Sequence, residues 1–124
     1  NLKIAMGPAI AGKVYQVSVE VAAKLGATIA PESAVSATAD GILEFLHQLP
    51  ESPVLADPEP GKVRLDVRLC NALQLQQLGI NLSQVAIAPF CTYSDSDRFF
   101  SYRRDRLKKI QWSGIVSARR TSLC

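Results

Sequence analysis

The sequence predicts one domain of the α/β or α+β class. A length of 124 residues lies in the range where a single domain is most common. Apolar residues make up 48% of the chain and charged residues 20%, which is typical of a soluble globular protein. Runs with strand character alternate with helical stripes, and this order favours helices packed on a sheet. No apolar run approaches the roughly 20 residues of a membrane helix, so no membrane partner is predicted.

The first half of the chain predicts one strand and two helices. Residues 3–6 (KIAM) predict a short strand that ends in a glycine-containing loop, GPAIAG. Residues 14–25 fit both an alternating strand and a helical stripe, and a lysine followed by a glycine at the end favours the helix. Residues 30–40 are small and polar, which predicts a loop. Asp40 then caps a helix with one apolar face, and Pro50 stops it.

The second half predicts three strands and two helices between loops. Asp66 is a candidate N-cap for the longest helix, which Gly79 ends. Ser94 and Asp97 match a capping box before a short helix. After a proline-rich loop over residues 50–62, we predict a strand over residues 62–67 and then the long helix, up to residue 78. A buried strand over residues 85–88 follows, and then the short helix that carries Arg98 and Phe99. A closing strand is predicted over residues 109–116. The tail from Ser117, with Cys124, is expected to be frayed.

Charge is distributed unevenly along the chain. From Arg98 onward there are eight Arg and Lys against one acidic residue, a balance of +7, whereas residues 1–97 hold six basic and ten acidic residues, a balance of −4. A positive C-terminal quarter can attract nucleic acid, a small phosphate or an acidic partner, and it can also be a solvated edge.

The stretch FCTYSDSDRFFSYRRDRLKK, residues 90–109, concentrates this charge. No motif of a known nucleic-acid-binding fold surrounds it, so no nucleic-acid partner is predicted. A small anion suits it better, because a guanidinium fork matches a phosphate or carboxylate. If Arg103 and Arg104 lie in extended chain they point to opposite faces. One would then face a pocket, while the other pairs with Asp95 or Asp105.

Cysteine and histidine residues supply no recognisable catalytic or metal site. Three cysteines without a CxxC pair indicate free thiols in a reducing compartment, so we expect a cytoplasmic protein. Cys70 is expected to be a small core residue. Cys91 follows a strand end but has no candidate base nearby in sequence, and His47 is expected at or near the surface.

Three blocks of the sequence resemble the C-terminal part of the multicopper polyphenol oxidoreductase (laccase-like) family, the YfiH-like group. The blocks are GPAIAGKVYQV, LDVRLCNALQLQQLGI and CTYSDSDRFFSYRRD, and the last is the most specific. QWSGIV resembles the closing strand of the family. Lys13 and Val14 stand where the family often has cysteines. The resemblance covers nearly the whole chain and implies a YfiH-like mixed-sheet α/β sandwich, of which this chain would be the C-terminal portion.

The resemblance also implies an activity. Members of the family are regarded as purine nucleoside phosphorylases with adenosine deaminase side activity, so the implied substrates are adenosine or inosine and phosphate. The zinc or copper site of the family is built from two His and one Cys in upstream HG, D-C and HAGW motifs. None of these motifs occurs here. The resemblance therefore implies that this chain needs an upstream half, and that it binds no metal and is inactive by itself.

Within that activity, the resemblance implies that the chain supplies one wall of the substrate pocket. The implied substrate-binding residues are Gly7, Pro8, Cys91, Thr92, Tyr102, Arg103 and Arg104. Either arginine would hold phosphate, and the aromatic residues would shape the base pocket. No catalytic residue is assigned, and a purely structural role stays open for each residue.

The boundaries of the chain leave a second interpretation open. It begins at Asn1 with an apolar run, so we expect a part of a larger domain. Residues 31–60 match no motif of the family and are expected to be a variable loop and helix insertion. The alternative to an enzyme is a non-catalytic fragment or degenerate binding domain that keeps the fold without the chemistry.

Overall fold

The computed structural model describes residues 2–31, 33 and 38–118. In chain order the strands and helices are β1 (Ile4–Met6), β2 (Gln16–Ser18), α1 (Val19–Gly26), α2 (Ala39–His47), β3 (Val54–Ala56), β4 (Lys62–Leu65), α3 (Val67–Gln77), β5 (Val85–Ile87) and α4 (Tyr102–Asp105). Short 3₁₀ turns at Gly12–Val14 and Leu82–Gln84 precede β2 and β5. The mixed α/β class predicted from the sequence is confirmed.

The strands form two small sheets. β4 is the centre of an antiparallel sheet of order β2–β4–β3, with Val17 opposite Val63 and Val54 opposite Leu65. β1 and β5 form a separate parallel pair in which Ile4 lies opposite Val85. Two parallel strands that are distant in sequence can adjoin only through a long connection, and here that connection carries the rest of the core.

The hydrophobic core lies between the antiparallel sheet and the helices. It is built from the inward side chains of β2, β3 and β4, from α1 and α2, and from Cys70 of α3, which is 1% exposed. α1 and α2 are in close contact at Gly26, where an added Cβ would lie 2.6 Å from Leu46 Cδ1 and 2.7 Å from Ile42 Cγ2. A side chain at position 26 would therefore displace the Ile42 and Leu46 side chains or the helix that carries them. Cys70 is a core residue, as predicted, and His47 is exposed, as predicted.

Each of the three longer helices begins at a residue whose side chain caps it. Ser18 caps α1 by accepting from Val21 N–H at 3.3 Å. The predicted start of the helix over residues 14–25 is therefore wrong, because residues 16–18 form a strand that pairs with β4. Thr38, rather than Asp40, caps α2. Asp66 caps α3 as predicted, accepting from Leu69 N–H at 3.0 Å.

Three further differences separate the observed elements from the predicted ones. The proline-rich segment over residues 50–62 contains β3, because an edge strand tolerates neighbouring prolines. The short helix expected around Arg98 is instead a series of turns, and the helix forms later, at α4. Residues 107–118 contain no strand, because no strand of the described chain pairs with them. The predicted loop over residues 30–40 and the predicted frayed tail, with Cys124, fall partly outside the described residues.

No helix among the described residues is long and apolar enough to cross a membrane. Large apolar side chains are nevertheless exposed near the C-terminal end, including Ile110 at 72% and Trp112 at 91%. These residues sit beside the β1–β5 pair rather than on the main core.

Candidate active site

Two segments that follow parallel strands adjoin at one end of the β1–β5 pair. Ala9 and Cys91 form an isolated parallel bridge, and Thr92 N–H donates to Ala9 carbonyl at 3.1 Å. The loop after β1 and the CT dipeptide after β5 are therefore held side by side. Ends of adjacent parallel strands are a common position for ligand-facing groups in α/β folds.

Arg68 fixes the segment that leads into Cys91. From α3 its guanidinium donates through Nη1 to the carbonyls of Ala88, at 2.8 Å, and Phe90, at 3.3 Å. Position 91 is thus tied both to the β1 loop and to the long helix. This role of Arg68 was not predicted from the sequence, because a single arginine on a helix does not indicate which groups it binds.

The Cys91 thiol lies in a polar environment. Burial raises the pKa of this thiol, but hydrogen bonds from the Ser94 side chain and from the backbone N–H groups of Ala11, Ser94 and Tyr93 outweigh burial and lower its pKa from 9.0 to about 7. Ala11 N–H reaches Sγ at 3.2 Å. By contrast, burial and the nearby Asp66 carboxylate raise the pKa of the Cys70 thiol to about 11. Of the two described thiols, Cys91 therefore has the larger fraction of reactive thiolate at neutral pH.

All five N–H donors of the Arg104 guanidinium are used inside the chain. Nη1 donates to the carbonyls of Thr92 at 3.0 Å and Tyr93 at 2.8 Å, and Nη2 donates to Phe99 carbonyl at 2.8 Å. The remaining donors, Nε and Nη2, bind the Asp105 carboxylate at 2.9 and 2.8 Å. An arginine has five such donors, so Arg104 has none left for a ligand. It closes the turn over residues 92–99.

Arg103 lies on the same short helix but has different surroundings. Its Nη1 donates to Gln16 carbonyl at 2.7 Å, and its guanidinium carbon lies 5.0 Å from the centre of the Tyr15 ring. Within the described chain it forms no ion pair, and its side chain is exposed. Four N–H donors of Arg103 have no partner among the described residues and are available to a bound anion.

Arg103 and Arg104 have different partners, as predicted, but the predicted reason is wrong because they do not lie in extended chain. They were expected to diverge because extended chain alternates, but they lie in α4, which Ser101 caps by accepting from Arg104 N–H at 3.3 Å. Consecutive helical residues are rotated by about 100° rather than 180°. The predicted pairing of one arginine with Asp105 is present, and the residue that pairs is Arg104.

The remaining predicted residues lie at the edge of this arrangement. Gly7 packs against Ser113, and an added Cβ would lie 2.8 Å from Ser113 Oγ. Pro8 lines an open groove of about 280 Å³ together with the aromatic residues Phe99, Phe100 and Trp112. Tyr102 is 54% exposed, and its ring lies 5.7 Å from the Arg106 guanidinium carbon. Tyr102 therefore keeps about half of its surface open to solvent.

The described residues do not fit a metal ion. They contain no group of three or more His, Cys, Asp and Glu side chains close enough to hold one. Cys91 has backbone donors around it instead of further ligands. No step of the chemistry is therefore assigned to a metal on these residues.

Comparison with known proteins decides the family. Residues 1–116 match the model of the multi-copper polyphenol oxidoreductase laccase family. The chain belongs to this family. The resemblance on the GPAI, LDVRL and CTYSD blocks is confirmed by this match.

Curated relatives of this chain carry the name purine nucleoside phosphorylase. A purine nucleoside phosphorylase of Synechocystis is 48% identical over 117 residues, which are 94% of this chain and 44% of that protein. The purine nucleoside phosphorylase YlmD of Geobacillus stearothermophilus is 32% identical over 106 residues, or 86% of this chain and 32% of the relative. The chain thus spans less than half of the length of these relatives.

Solved structures of the family have the same fold. The crystal structure of YlmD from Geobacillus stearothermophilus matches 82% of this chain with a TM-score of 0.62 at 32% identity, over 31% of that chain. The structure of a Bacillus licheniformis hypothetical protein, YfiH, matches the same share with a TM-score of 0.53 at 25% identity, over 32% of its length. The YfiH-like fold predicted from the sequence is confirmed.

Proposed function

We propose that this chain is the phosphate-binding part of a purine nucleoside phosphorylase. The observation that carries the proposal is the 48% identity to the Synechocystis phosphorylase over 94% of the chain. The reaction is the attack of a phosphate oxygen on the ribose C1′, with cleavage of the bond from C1′ to the base nitrogen. The base leaves with the bonding electrons and takes up a proton, and ribose 1-phosphate is the second product.

Arg103 is the residue that we assign to phosphate. Its four unused N–H donors and its lack of an ion-pair partner among the described residues support this role. Stacking on Tyr15 and the bond to Gln16 carbonyl hold the guanidinium in one orientation, which lowers the entropy lost when an anion binds. A fixed guanidinium also stabilises the charge that the phosphate retains in the transition state.

Arg104 has a positioning role in this proposal. It joins the Cys91–Thr92 segment to α4, and so fixes the distance between the loop after β1 and the helix that carries Arg103. Gly7, Pro8, Cys91 and Thr92 are assigned to the adjoining wall of the pocket. Phe99 and Phe100, beside Pro8, supply apolar surface for the purine base.

The remaining parts of the activity are assigned to the rest of the family domain. The relatives are more than twice as long as the matched stretch, and the described residues do not form a metal site. We therefore assign the zinc or copper, when bound, to an upstream half, where it would act as a Lewis acid on the substrate. Adenosine deamination is proposed as a side activity of that complete domain. The free Cys70 and Cys91 thiols support a cytoplasmic location.

The test uses a chimera in which this chain replaces the stretch that it matches in the Synechocystis relative, here called the Synechocystis chimera. Inosine is incubated with and without inorganic phosphate, and hypoxanthine and ribose 1-phosphate are quantified by chromatography. Phosphate-dependent formation of both products is expected. The unmodified relative is the positive control. Adenosine in phosphate-free buffer tests deamination, with inosine and ammonia as products.

A folded chimera that forms no ribose 1-phosphate, while the unmodified relative does, contradicts the proposal. That outcome favours the alternative of a degenerate domain. Release of base at an equal rate without phosphate also contradicts it, because the reaction would then be hydrolysis.

A further inference from the structure

We propose that Arg98 recognises the purine base, and that it selects a 6-oxopurine such as hypoxanthine over adenine. The residue lines a groove with aromatic walls, and its guanidinium can present two parallel N–H donors to a base. The inference rests on the proposed function for the class of ligand, a purine. It concerns the binding of the base alone and involves neither phosphate nor a metal.

The groove beside Pro8 has the aromatic surface that a flat base requires. It has a volume of about 280 Å³, and Phe99, Phe100 and Trp112 line it together. Phe100 and Trp112 are 46% and 91% exposed, so their rings have surface that a ligand can cover. Stacking on an aromatic ring tolerates any base, because every base has a π-face. Selection between two purines therefore requires a polar group.

Arg98 is the side chain that can supply this selection. Among the described residues that line the groove, it alone is charged. The amide of Gln111 also lines the groove, but it accepts from Phe100 N–H at 3.1 Å and donates to Phe100 carbonyl at 3.0 Å. Gln111 is thus engaged with the backbone, whereas Arg98 has donors to spare.

The guanidinium of Arg98 is held through one edge and one face. Its Nε lies 3.0 Å from Asp95 Oδ2, and its central carbon lies 4.7 Å from the centre of the Phe90 ring. Phe90 packs in turn against Phe99, with the ring centres 5.8 Å apart. The four N–H donors on Nη1 and Nη2 have no partner among the described residues. Because Asp95 balances the charge of Arg98, a neutral base is a suitable ligand for these donors.

The free end of this guanidinium matches one edge of a 6-oxopurine. O6 and N7 of such a base are both acceptors, and an arginine binds them through two parallel N–H donors. Adenine carries the amino group N6 in place of O6, so one donor of Arg98 would face another donor. A bidentate pair of this kind discriminates against the wrong base by about 5- to 150-fold.

Arg98 and the phosphate-binding Arg103 belong to one braced unit. Arg104 donates to Phe99 carbonyl at 2.8 Å and to Thr92 carbonyl at 3.0 Å, so α4 is tied to the turn that carries Arg98. Arg103 follows Arg98 by five positions, so their Cα atoms lie at most about 18 Å apart. In this arrangement one end of the unit binds the base, and the other end binds phosphate.

The test measures the affinity of the Synechocystis chimera for free hypoxanthine and free adenine, by isothermal titration calorimetry in phosphate-free buffer. The chimera should bind hypoxanthine at least about fivefold more tightly than adenine. Arg98→Ala should weaken the binding of hypoxanthine by about 5- to 150-fold and that of adenine much less, so the preference is lost. Arg98→Lys keeps a charge but has no planar fork, and it should lose the preference as well.

A matched control separates the fork from general charge. Lys108→Ala removes another exposed positive charge, outside the groove, and should change neither affinity. Equal affinity of the chimera for the two bases, or an unchanged preference in folded Arg98→Ala, overturns the proposal. A preference that Arg98→Lys retains also overturns it, because a point charge would then suffice. If Arg98→Ala does not fold, Arg98→Lys decides.

The binding result is distinguishable from the phosphorolysis result. Selective binding of hypoxanthine by a chimera that forms no ribose 1-phosphate supports the role of Arg98 and contradicts only the proposed reaction. Phosphate-dependent formation of products by a chimera with equal affinity for both bases supports the reaction and overturns the role of Arg98.

Discussion

The two neighbouring arginines of α4 differ in how many guanidinium N–H donors they use inside the chain. Arg104 donates to three carbonyls and to Asp105, whereas Arg103 donates to Gln16 carbonyl alone. The charge of the stretch predicts that a guanidinium binds an anion, and this stays a prediction. The sequence could not predict which one, because the carbonyls that saturate Arg104 come from a turn whose shape depends on tertiary packing.

The Cys91 thiol should titrate near neutral pH. Ser94 and nearby backbone N–H groups stabilise the thiolate, and its pKa is lowered to about 7, so the reactive form is present below the ordinary thiol pKa of 9.0. Alkylation by iodoacetamide, mapped by mass spectrometry over pH 5–10, should reach half its maximal rate at about pH 7.

Two comparisons control the Cys91 measurement. Ser94→Ala should move the half-point upward, because a hydrogen bond to the thiolate is lost. Cys70 should stay unmodified in the folded chain, since it is 1% exposed and its pKa is raised to about 11. A half-point near 9 at Cys91 would show that its surroundings do not stabilise the thiolate.

At the scale of elements, the N-cap of a helix could be predicted where the sequence offers one candidate capping residue. Asp66 before α3 was predicted and is the observed cap. The start of α1 was not predicted, because Val17, Val19 and Val21 fit both periods. Only the pairing of residues 16–18 with β4 decides between them, and that pairing is not a local property.

Gly26→Ala should destabilise the chain by about 1–3 kcal/mol, through overpacking. The new Cβ would lie within 2.7 Å of side-chain atoms of Ile42 and Leu46, so these side chains or α2 itself must shift. Urea unfolding followed by circular dichroism measures the change. Gly114→Ala is the matched control, because its Cβ would meet nothing within 4 Å. Equal stability of both variants would contradict the close helix contact.

Asp66→Ala should destabilise the chain by about 1 kcal/mol, because the N-cap bond to Leu69 N–H at 3.0 Å is lost. Asp66→Asn retains a capping oxygen and should recover most of the loss. If Asn behaves as Ala does in the same urea titration, the carboxylate acts through its charge instead of as a cap.

At the scale of the whole molecule, the fold class and the family could be predicted, but the closing strand could not be placed. QWSGIV has the alternation of a strand, yet residues 107–118 form none in the described structure. A strand forms only when it pairs with another strand, and its own sequence pattern does not indicate which strand that is. The same limit applies to the proposed pocket, since the metal motifs that the resemblance implies are absent from this sequence.

The isolated 124-residue chain should bind no stoichiometric zinc with high affinity. The described residues offer no cluster of three ligating side chains, and the sequence contains one His and three Cys. Elemental analysis after dialysis of the purified chain measures this. One tightly held zinc per chain that is lost in the His47→Ala variant would contradict the assignment of the metal to an upstream half.

The central claim is that α4 supplies the phosphate site, and the phosphate dependence of inosine cleavage by the Synechocystis chimera tests it most directly. Arg103→Ala should reduce kcat/KM for phosphate by about 10- to 100-fold, as expected for the loss of a charge-assisted hydrogen bond, with little change in melting temperature. Arg106→Ala removes a neighbouring exposed charge and should leave the phosphate dependence unchanged. Arg104→Ala should lower the melting temperature instead, because the turn over residues 92–99 loses its clamp. Unchanged phosphate dependence in Arg103→Ala, or an equal loss in Arg106→Ala, would contradict the account.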